Sequence, residues 1–163
     1  MTMNPVPTGS RPVQAAETLA TFPSLRGRSV FVTGGGSGIG AAIVTAFAQQ
    51  GARVAFIDVA REASEGLVTG LAEAGLPRPW WQACDVRYIE ALQSTMAAAA
   101  QALGDFSVLV NNVANDDRHT LEQITPAYYE DRMAINERPA LFAIQAVVPG
   151  MRRLGQGSII NLG

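Results

Sequence analysis

A glycine-rich stretch, Thr-Gly-Gly-Gly-Ser-Gly-Ile-Gly at residues 33–40, has the residue types that a phosphate group needs. Glycine permits positive φ angles and lets a phosphate approach the backbone where a Cβ would block it. A helical pattern follows, and a helix N-terminus offers unpaired N–H groups and a positive dipole end. We therefore predict a pyrophosphate site of a dinucleotide at Gly34, Gly36, Ser37, Gly38, Ile39 and Gly40. The alternative is a tight strand-to-helix turn.

An acidic residue, Asp58, follows Gly40 by 18 positions, at the end of a second apolar stretch. A carboxylate there can accept hydrogen bonds from both adenosine ribose hydroxyls and would repel a 2′-phosphate. Position 37 is serine, so the loop itself offers no basic group to a 2′-phosphate, although the nearby Arg61 could soften the preference. The spacing favours NAD as the cofactor; the alternative is a solvated aspartate at a strand end.

Composition narrows the possible chemistry. The chain has no lysine, so no amine with a tunable pKa is available, and a Walker phosphate loop is excluded. Cys84 is the only cysteine, so no internal disulfide can form, and we expect it to be buried and inert rather than a nucleophile. The net charge of −2 gives no reason to expect nucleic acid, and no apolar run is long enough for a membrane helix. We expect no metal site and a cytoplasmic protein.

The elements that must position these residues alternate between strand and helix. Residues 1–23 contain prolines and small polar residues and are expected to form a flexible arm, whereas residues 24–163 form one domain. Within it the pattern predicts strands at 29–32, 53–57, 80–83, 106–110 and 158–161, and helices at 38–50, 62–74, 86–103 and 126–153. Most of these strands are continuously apolar, which is typical of a parallel sheet covered on both faces. The pattern predicts an α/β, Rossmann-type doubly wound sheet of order 3-2-1-4-5, truncated after its fifth strand.

The helix predicted from Pro126 contains a second proline, Pro139. Proline lacks an N–H group and clashes with the preceding turn, at a cost of about 3 kcal/mol if unrelieved. We therefore expect a kink or an interruption close to Asn136. The first helix has Ile39, Ile43 and Phe47 at a spacing of four, which places them on one face.

Together these motifs resemble the short-chain dehydrogenase/reductase family. The spacing of Thr33, Gly34, Gly38 and Gly40 matches the loop of that family, and the resemblance extends over residues 25–163. It implies that Asp85 bonds the adenine amino group, that Val86 packs beside it, and that Asn112 belongs to the Asn-Asn motif after the fourth strand. It also implies that Asn136 is a catalytic asparagine, which helps to hold a proton-relay water.

Residues 33–40 and 112–119 are similar to those of NAD-dependent sugar dehydrogenases in the family, among them bacterial enzymes acting on D-xylose and other aldoses. The resemblance thus implies hydride transfer from a sugar or similar alcohol as small-molecule substrate, and a homo-oligomer for the complete protein. His119, the only histidine, is expected to order the loop after the fourth strand rather than to act as a base. Residues 113–115, Val-Ala-Asn, replace the usual Ala-Gly pair.

The catalytic serine and the Tyr-x-x-x-Lys motif of the family are absent from these 163 residues. In the family the tyrosine exchanges a proton with the substrate, and the lysine lowers the tyrosine pKa and holds the nicotinamide ribose. We therefore expect this chain to be inactive by itself, with an exposed fifth strand at the sheet edge. Two alternatives stay open: a non-catalytic NAD-binding or subunit-pairing module, and a structural fragment in which the glycine loop is only a turn.

Overall fold

A computed structural model of the chain describes residues 20–115, 117 and 119–162. The predicted arm, residues 1–23, lies outside the described residues except for its last four. Two of these four bind one side chain: the Phe22 N–H donates to Oε1 of Gln50 at 2.7 Å, and Nε2 of Gln50 donates to the Ala20 carbonyl at 3.1 Å. A short 3-10 turn at Pro23–Leu25 then leads into the sheet.

Five parallel strands form one sheet in the order β3-β2-β1-β4-β5, which confirms the predicted order. The register sets Val30 of β1 beside Val54 of β2 and Val108 of β4, so β1 lies at the centre of the sheet. The strands are β1 (Ser29–Thr33), β2 (Arg53–Asp58), β3 (Trp80–Ala83), β4 (Val108–Asn111) and β5 (Ser158–Asn161).

Helices cover both faces of the sheet, as the apolar strands predicted. They are α1 (Gly38–Gln49), α2 (Arg61–Glu73), α3 (Ile89–Leu103), α4 (Pro126–Asn136) and α5 (Arg138–Leu154). Alternate residues of one strand face opposite sides. In β1, Val30 and Val32 therefore pack with α1 and α2, and Phe31 packs with α3 and α5. The two apolar clusters together fix the sheet and so fix the loops at its ends.

The buried face of α1 lies one position along from the face that carries Ile39, Ile43 and Phe47. Val44 and Ala48 are fully buried against the sheet, whereas Ile43 and Phe47 are only partly buried and Ile39 is 71% exposed. The cause lies at the helix start. There Gly40 packs directly on the backbone of Gly34, and this close contact sets the rotation of the helix.

The predicted long helix is divided in two, as Pro139 indicated. α4 ends at Asn136, Glu137 takes φ −119° and ψ −57°, and α5 begins at Arg138. Pro139 lies in the first turn of α5, where a missing N–H costs no hydrogen bond within the new helix. The break therefore relieves the strain that an uninterrupted helix would carry.

The helix after Asp85 begins later than predicted, at Ile89 instead of Val86. The N–H of Tyr88 bonds the Asp85 carbonyl at 3.2 Å in a turn, and Val86 is buried in the core. β5 forms the sheet edge, with Ile159 and Ile160 38% and 43% exposed. Among the described residues, the helices are all too short or too polar to cross a lipid bilayer.

Candidate functional site

A cleft of about 690 Å³ opens at the carboxyl ends of the strands. It lies where the strand order reverses on either side of β1, and ligands of open α/β sheets bind at such a position. Its walls come from the loops after β1, β2, β3 and β4, together with α4. The predicted site residues that line it are Gly34, Ser37, Ile39, Gly40, Asp58, Asp85, Val86 and Asn112.

The glycine loop is held against the sheet by its own backbone. The N–H groups of Gly34 and Gly35 both bond the Ile57 carbonyl, at 2.8 and 3.1 Å. Gly34 has a φ of +69°, a conformation that side chains rarely adopt. A Cβ on Gly40 would overlap the carbonyl oxygen of Gly34. These two glycines are required by the fold of the loop itself.

Gly38, in contrast, faces open space. It has a φ of +52°, and a Cβ added to it would meet no atom within 4 Å. It is the first residue of α1, whose N-cap residue Ser37 makes no side-chain capping bond. The first N–H groups of a helix have no acceptor within the helix. An open, uncapped helix N-terminus that lines a cleft fits a bound phosphate group.

Asp58, a residue that is only 9% exposed, binds the glycine loop with its carboxylate. Its Oδ2 accepts from the Gly36 N–H at 2.8 Å, and its Oδ1 accepts from the Ala60 N–H at 2.9 Å. Each carboxylate oxygen can accept a further bond, so the group retains capacity for a ligand. Gly36 lies so close to Asp58 and to the buried Ser64 that a Cβ would collide with the Ser64 hydroxyl.

Asn112 joins β4 to the glycine loop. Its side-chain Nδ2 donates to the carbonyls of Thr33 and Gly34, at 3.2 and 2.9 Å. Its own N–H donates to the Thr33 hydroxyl at 3.0 Å. The Asn112 side chain therefore shapes the turn after β1.

Asp85 is paired with an arginine that the sequence did not single out. Arg87 contacts both Asp85 oxygens, with Nη2 to Oδ2 at 2.6 Å and Nε to Oδ1 and Oδ2 at 3.1 and 3.0 Å. These hydrogen bonds lower the pKa of the Asp85 carboxyl below its ordinary value of 3.8. Nη1 of Arg87 also reaches Asp131 of α4, at 3.4 Å. The two residues are only two positions apart, so this pair could have been predicted from the sequence.

Asn136 does not line the cleft directly. Its Oδ1 accepts from the Asn115 N–H at 2.7 Å, and its Nδ2 donates to the Asn115 carbonyl at 3.1 Å. The side chain thus fixes the loop after β4 to the end of α4. Asn115 is one of the residues that depart from the family pattern, and no feature of the sequence indicated this bond.

His119 contributes to the order of the same loop. Its Nδ1 lies 2.6 Å from the Tyr128 hydroxyl, which also donates to the Asp117 carbonyl at 3.2 Å. Arg132 lies over the Tyr128 ring, 5.1 Å from its centre, and contacts Asp117. These contacts hold residues 117 and 119 to α4 at the rim of the cleft. In the part of the chain that the structure describes, no cluster of three or more His, Cys, Asp or Glu side chains could hold a metal ion.

Comparison with known proteins identifies relatives of similar sequence. D-xylose 1-dehydrogenase of Caulobacter vibrioides (strain NA1000 / CB15N) is 47% identical over 144 residues, which cover 88% of this chain and 56% of that protein. A probable galactose dehydrogenase of Rhizobium meliloti (strain 1021) is 49% identical over 140 residues, 86% of this chain and 55% of that protein. The chain thus spans about half the length of these curated relatives.

A solved structure shows the same fold. A metagenomic short-chain oxidoreductase in complex with NADP superimposes with a TM-score of 0.79 at 30% identity, covering 85% of this chain and 62% of that one. The sequence profile described as short chain dehydrogenase matches residues 28–163. The match includes the glycine loop, Asp58, Asn112 and Asn136, and the chain accordingly belongs to the short-chain dehydrogenase/reductase family.

Proposed function

We propose that this chain supplies the NAD-binding part of a short-chain dehydrogenase that oxidises a sugar or a similar alcohol. The observation that carries the proposal is that the start of α1, at Ser37, Ile39 and Gly40, lines the same cleft as the buried Asp58. The first can hold a pyrophosphate, and the second can accept hydrogen bonds from ribose hydroxyls. The two groups would thus hold the pyrophosphate and the ribose of one adenosine diphosphate.

NAD is preferred over NADP because of Asp58. Its carboxylate is fixed by the N–H groups of Gly36 and Ala60, so it cannot move away from a 2′-phosphate at low cost. Like charges at close range repel strongly where water is largely excluded. Arg61 begins α2 nearby and could reduce that repulsion, and the structural relative described above binds NADP. The ratio of the affinities for NAD and NADP therefore tests the assignment of NAD as the cofactor.

Other residues of the cleft would serve the adenine and the substrate side. Asp85 would accept from the adenine amino group, Val86 would pack beside the ring, and Asn112 would maintain the loop under the phosphates. When bound, the nicotinamide ring supplies hydride-accepting chemistry. We propose a sugar substrate because the relatives named above are a D-xylose and a probable galactose dehydrogenase.

Asn136 would act by positioning. Its side chain is bonded to Asn115, while Pro139 cannot donate to the carbonyl of Ile135, four residues earlier. Ile135 lines the cleft one residue before Asn136, close to the break between α4 and α5. This arrangement supports the proposed role of Asn136 in holding a relay water.

We also propose that the 163 residues are inactive without further chain. They contain no lysine, and Arg132, four residues after Tyr128, stays charged and cannot act in its place. The Tyr128 hydroxyl is bonded to His119 and Asp117. Incubation with NAD and a panel of aldoses should give no NADH, and clear turnover would overturn this point.

A second candidate is a module that pairs with another subunit, which the exposed Ile159 and Ile160 of the edge strand β5 favour. For the whole protein we propose a homo-oligomer. Sedimentation of the chain with and without NAD separates pairing that depends on the cofactor from pairing that does not.

The single cysteine supports a reducing compartment such as the cytoplasm.

Calorimetric titration with NAD tests the central proposal, with Gly38→Ala as the variant. Its Cβ would enter the open space between the cleft residues Ser37 and Ile39, where we propose that the phosphate binds, so we expect binding to weaken at least about tenfold. Gly75→Ala is the matched control, because Gly75 also has a positive φ and open surroundings but lies after α2, away from the cleft. Equal NAD affinity in all three folded proteins would contradict the proposal.

A further inference from the structure

Most of the hydrogen-bonding capacity of the Asp85 carboxylate is used by one residue, Arg87. Its Oδ1 accepts from the Arg87 N–H at 3.0 Å and from Arg87 Nε at 3.1 Å. Its Oδ2 accepts from Nε at 3.0 Å and from Nη2 at 2.6 Å. An ionised carboxylate offers about four lone-pair sites. Nε carries a single hydrogen that the two oxygens share, so three hydrogens of Arg87 occupy three of these four sites.

This occupancy weakens the role proposed for Asp85. An adenine amino group needs a free lone pair on one of its oxygens, and Arg87 leaves only one of the four free while it keeps this position. Asp58 differs, since each of its oxygens accepts one bond and retains a second site. The cleft thus has one carboxylate with two free acceptor sites and one that Arg87 leaves with a single free site.

Arg87 is held in place from outside as well. Its Nη1 lies 3.4 Å from Oδ1 of Asp131, and its carbonyl accepts from Nη2 of Arg138 at 3.1 Å. The Asp85 and Arg87 side chains are nevertheless 26% and 45% exposed. Ion pairs as exposed as this one contribute little free energy. The arginine can therefore leave Asp85 when a better partner arrives.

We infer that Arg87 competes with the adenine amino group for Asp85 and thereby masks the adenine end of the cleft until a dinucleotide displaces it. This inference rests on the proposed NAD-binding function. The side chain of Arg87 reduces the affinity for any dinucleotide whose base donates to Asp85. It does not reduce the affinity for a base that lacks this donor.

The test compares NAD with nicotinamide hypoxanthine dinucleotide, in which an oxygen replaces the adenine amino group. Both dissociation constants are measured by calorimetry on the 163-residue chain, on Arg87→Ala and on Arg152→Ala. Arg152 is the matched control because it is exposed in the last turn of α5, outside the cleft. Circular dichroism verifies that each variant is folded.

Arg87→Ala should tighten NAD about threefold to fivefold, the size expected for release of one exposed ion pair. Binding of the hypoxanthine analogue should stay the same or weaken, because a freed carboxylate repels its oxygen. The NAD affinity of Arg87→Lys should lie between those of the wild type and Arg87→Ala, since an ammonium cannot form the two-pronged contact. The control should match the wild type.

The deciding quantity is the affinity for NAD divided by the affinity for the hypoxanthine analogue. If this ratio is unchanged or smaller in Arg87→Ala than in the wild type, the inference is overturned, because Arg87 then does not compete with the adenine amino group. If the folded wild-type chain binds neither dinucleotide, the proposed function fails, and the inference fails with it. The two failures are therefore distinguishable.

Discussion

Asp58 combines two tasks in one carboxylate. It fixes the glycine loop through the Gly36 N–H, and it keeps one acceptor site per oxygen toward the cleft. The position of Asp58 after β2 led to its prediction as a ligand residue, and the structure shows that it lines the cleft. Its bond to Gly36 could not be predicted, because it depends on how the loop after β1 folds over the end of β2. Ser64, which fills the space behind Gly36, was missed for the same reason.

Cys84 lies at the floor of the cleft, and burial raises the pKa of its thiol above the ordinary value of 9.0. Because the thiolate is the reactive form, we predict slow labelling by a thiol reagent at pH 8. The rate should rise by at least about tenfold in denaturant, where the thiol behaves like free cysteine. Labelling of the folded chain at the denatured rate would show that Cys84 is neither buried nor inert.

At the scale of elements, the contacts of the glycine loop with α1 and α2 determine which positions must be glycine and which face of α1 is buried. Val44 and Ala48 became the buried face of α1 because Gly40 lies on the Gly34 backbone, a contact that helical periodicity does not encode. Periodicity did predict the existence of each helix, and the chemistry of proline predicted the break before α5. Tertiary contacts set the remaining details.

Gly36→Ala tests these contacts. The added Cβ would meet the Ser64 hydroxyl and would lie 3.0 Å from Cγ of Asp58, so we predict a loss of about 1–3 kcal/mol in the free energy of unfolding. Gly66→Ala is the control, since Gly66 lies within α2 and a Cβ added there would meet nothing within 4 Å. That change should stabilise the chain by about 0.5–1 kcal/mol.

Urea unfolding of both variants and of the wild type gives the comparison. If Gly36→Ala is as stable as Gly66→Ala, the loop has room that the structure does not show.

For the whole molecule, the order of strands followed from general rules. Continuously apolar strands required helices on both faces, and right-handed crossovers then determined on which side of β1 each strand is added. The network of Arg87, Asp131 and Arg132 did not follow from such rules, because residues 87 and 131 are distant in sequence and meet only through the packing of α4 beside the loop after β3.

Ion pairs between distant elements also predict how stability depends on pH. Arg153 of α5 bonds Asp105, which precedes β4, and these bonds lower the pKa of the Asp105 carboxyl below 3.8. A group with a lowered pKa in the folded state stabilises it above the unfolded pKa, and the gain is lost as pH falls through the folded value. Arg153→Ala should therefore be less stable than wild type at pH 7, and the difference should shrink as the pH falls below 3.8.

Arg152→Ala is the matched control for this prediction, because both arginines lie in the last turn of α5 and interact alike with its C-terminal end. Thermal unfolding from pH 7 to pH 3 measures the difference. A gap between Arg153→Ala and wild type that stays constant over this range would show that the ion pair with Asp105 is not its source.

The relative affinity for NAD and NADP tests the account most directly. Calorimetry on the 163-residue chain should show tighter binding of NAD than of NADP, and Asp58→Ala should reduce this ratio at least about tenfold. The ratio is the proper measure because Asp58 also supports the loop, and loss of that support affects both ligands alike. Equal or tighter binding of NADP by the wild-type chain would contradict the assignment of Asp58 and with it the proposed cofactor.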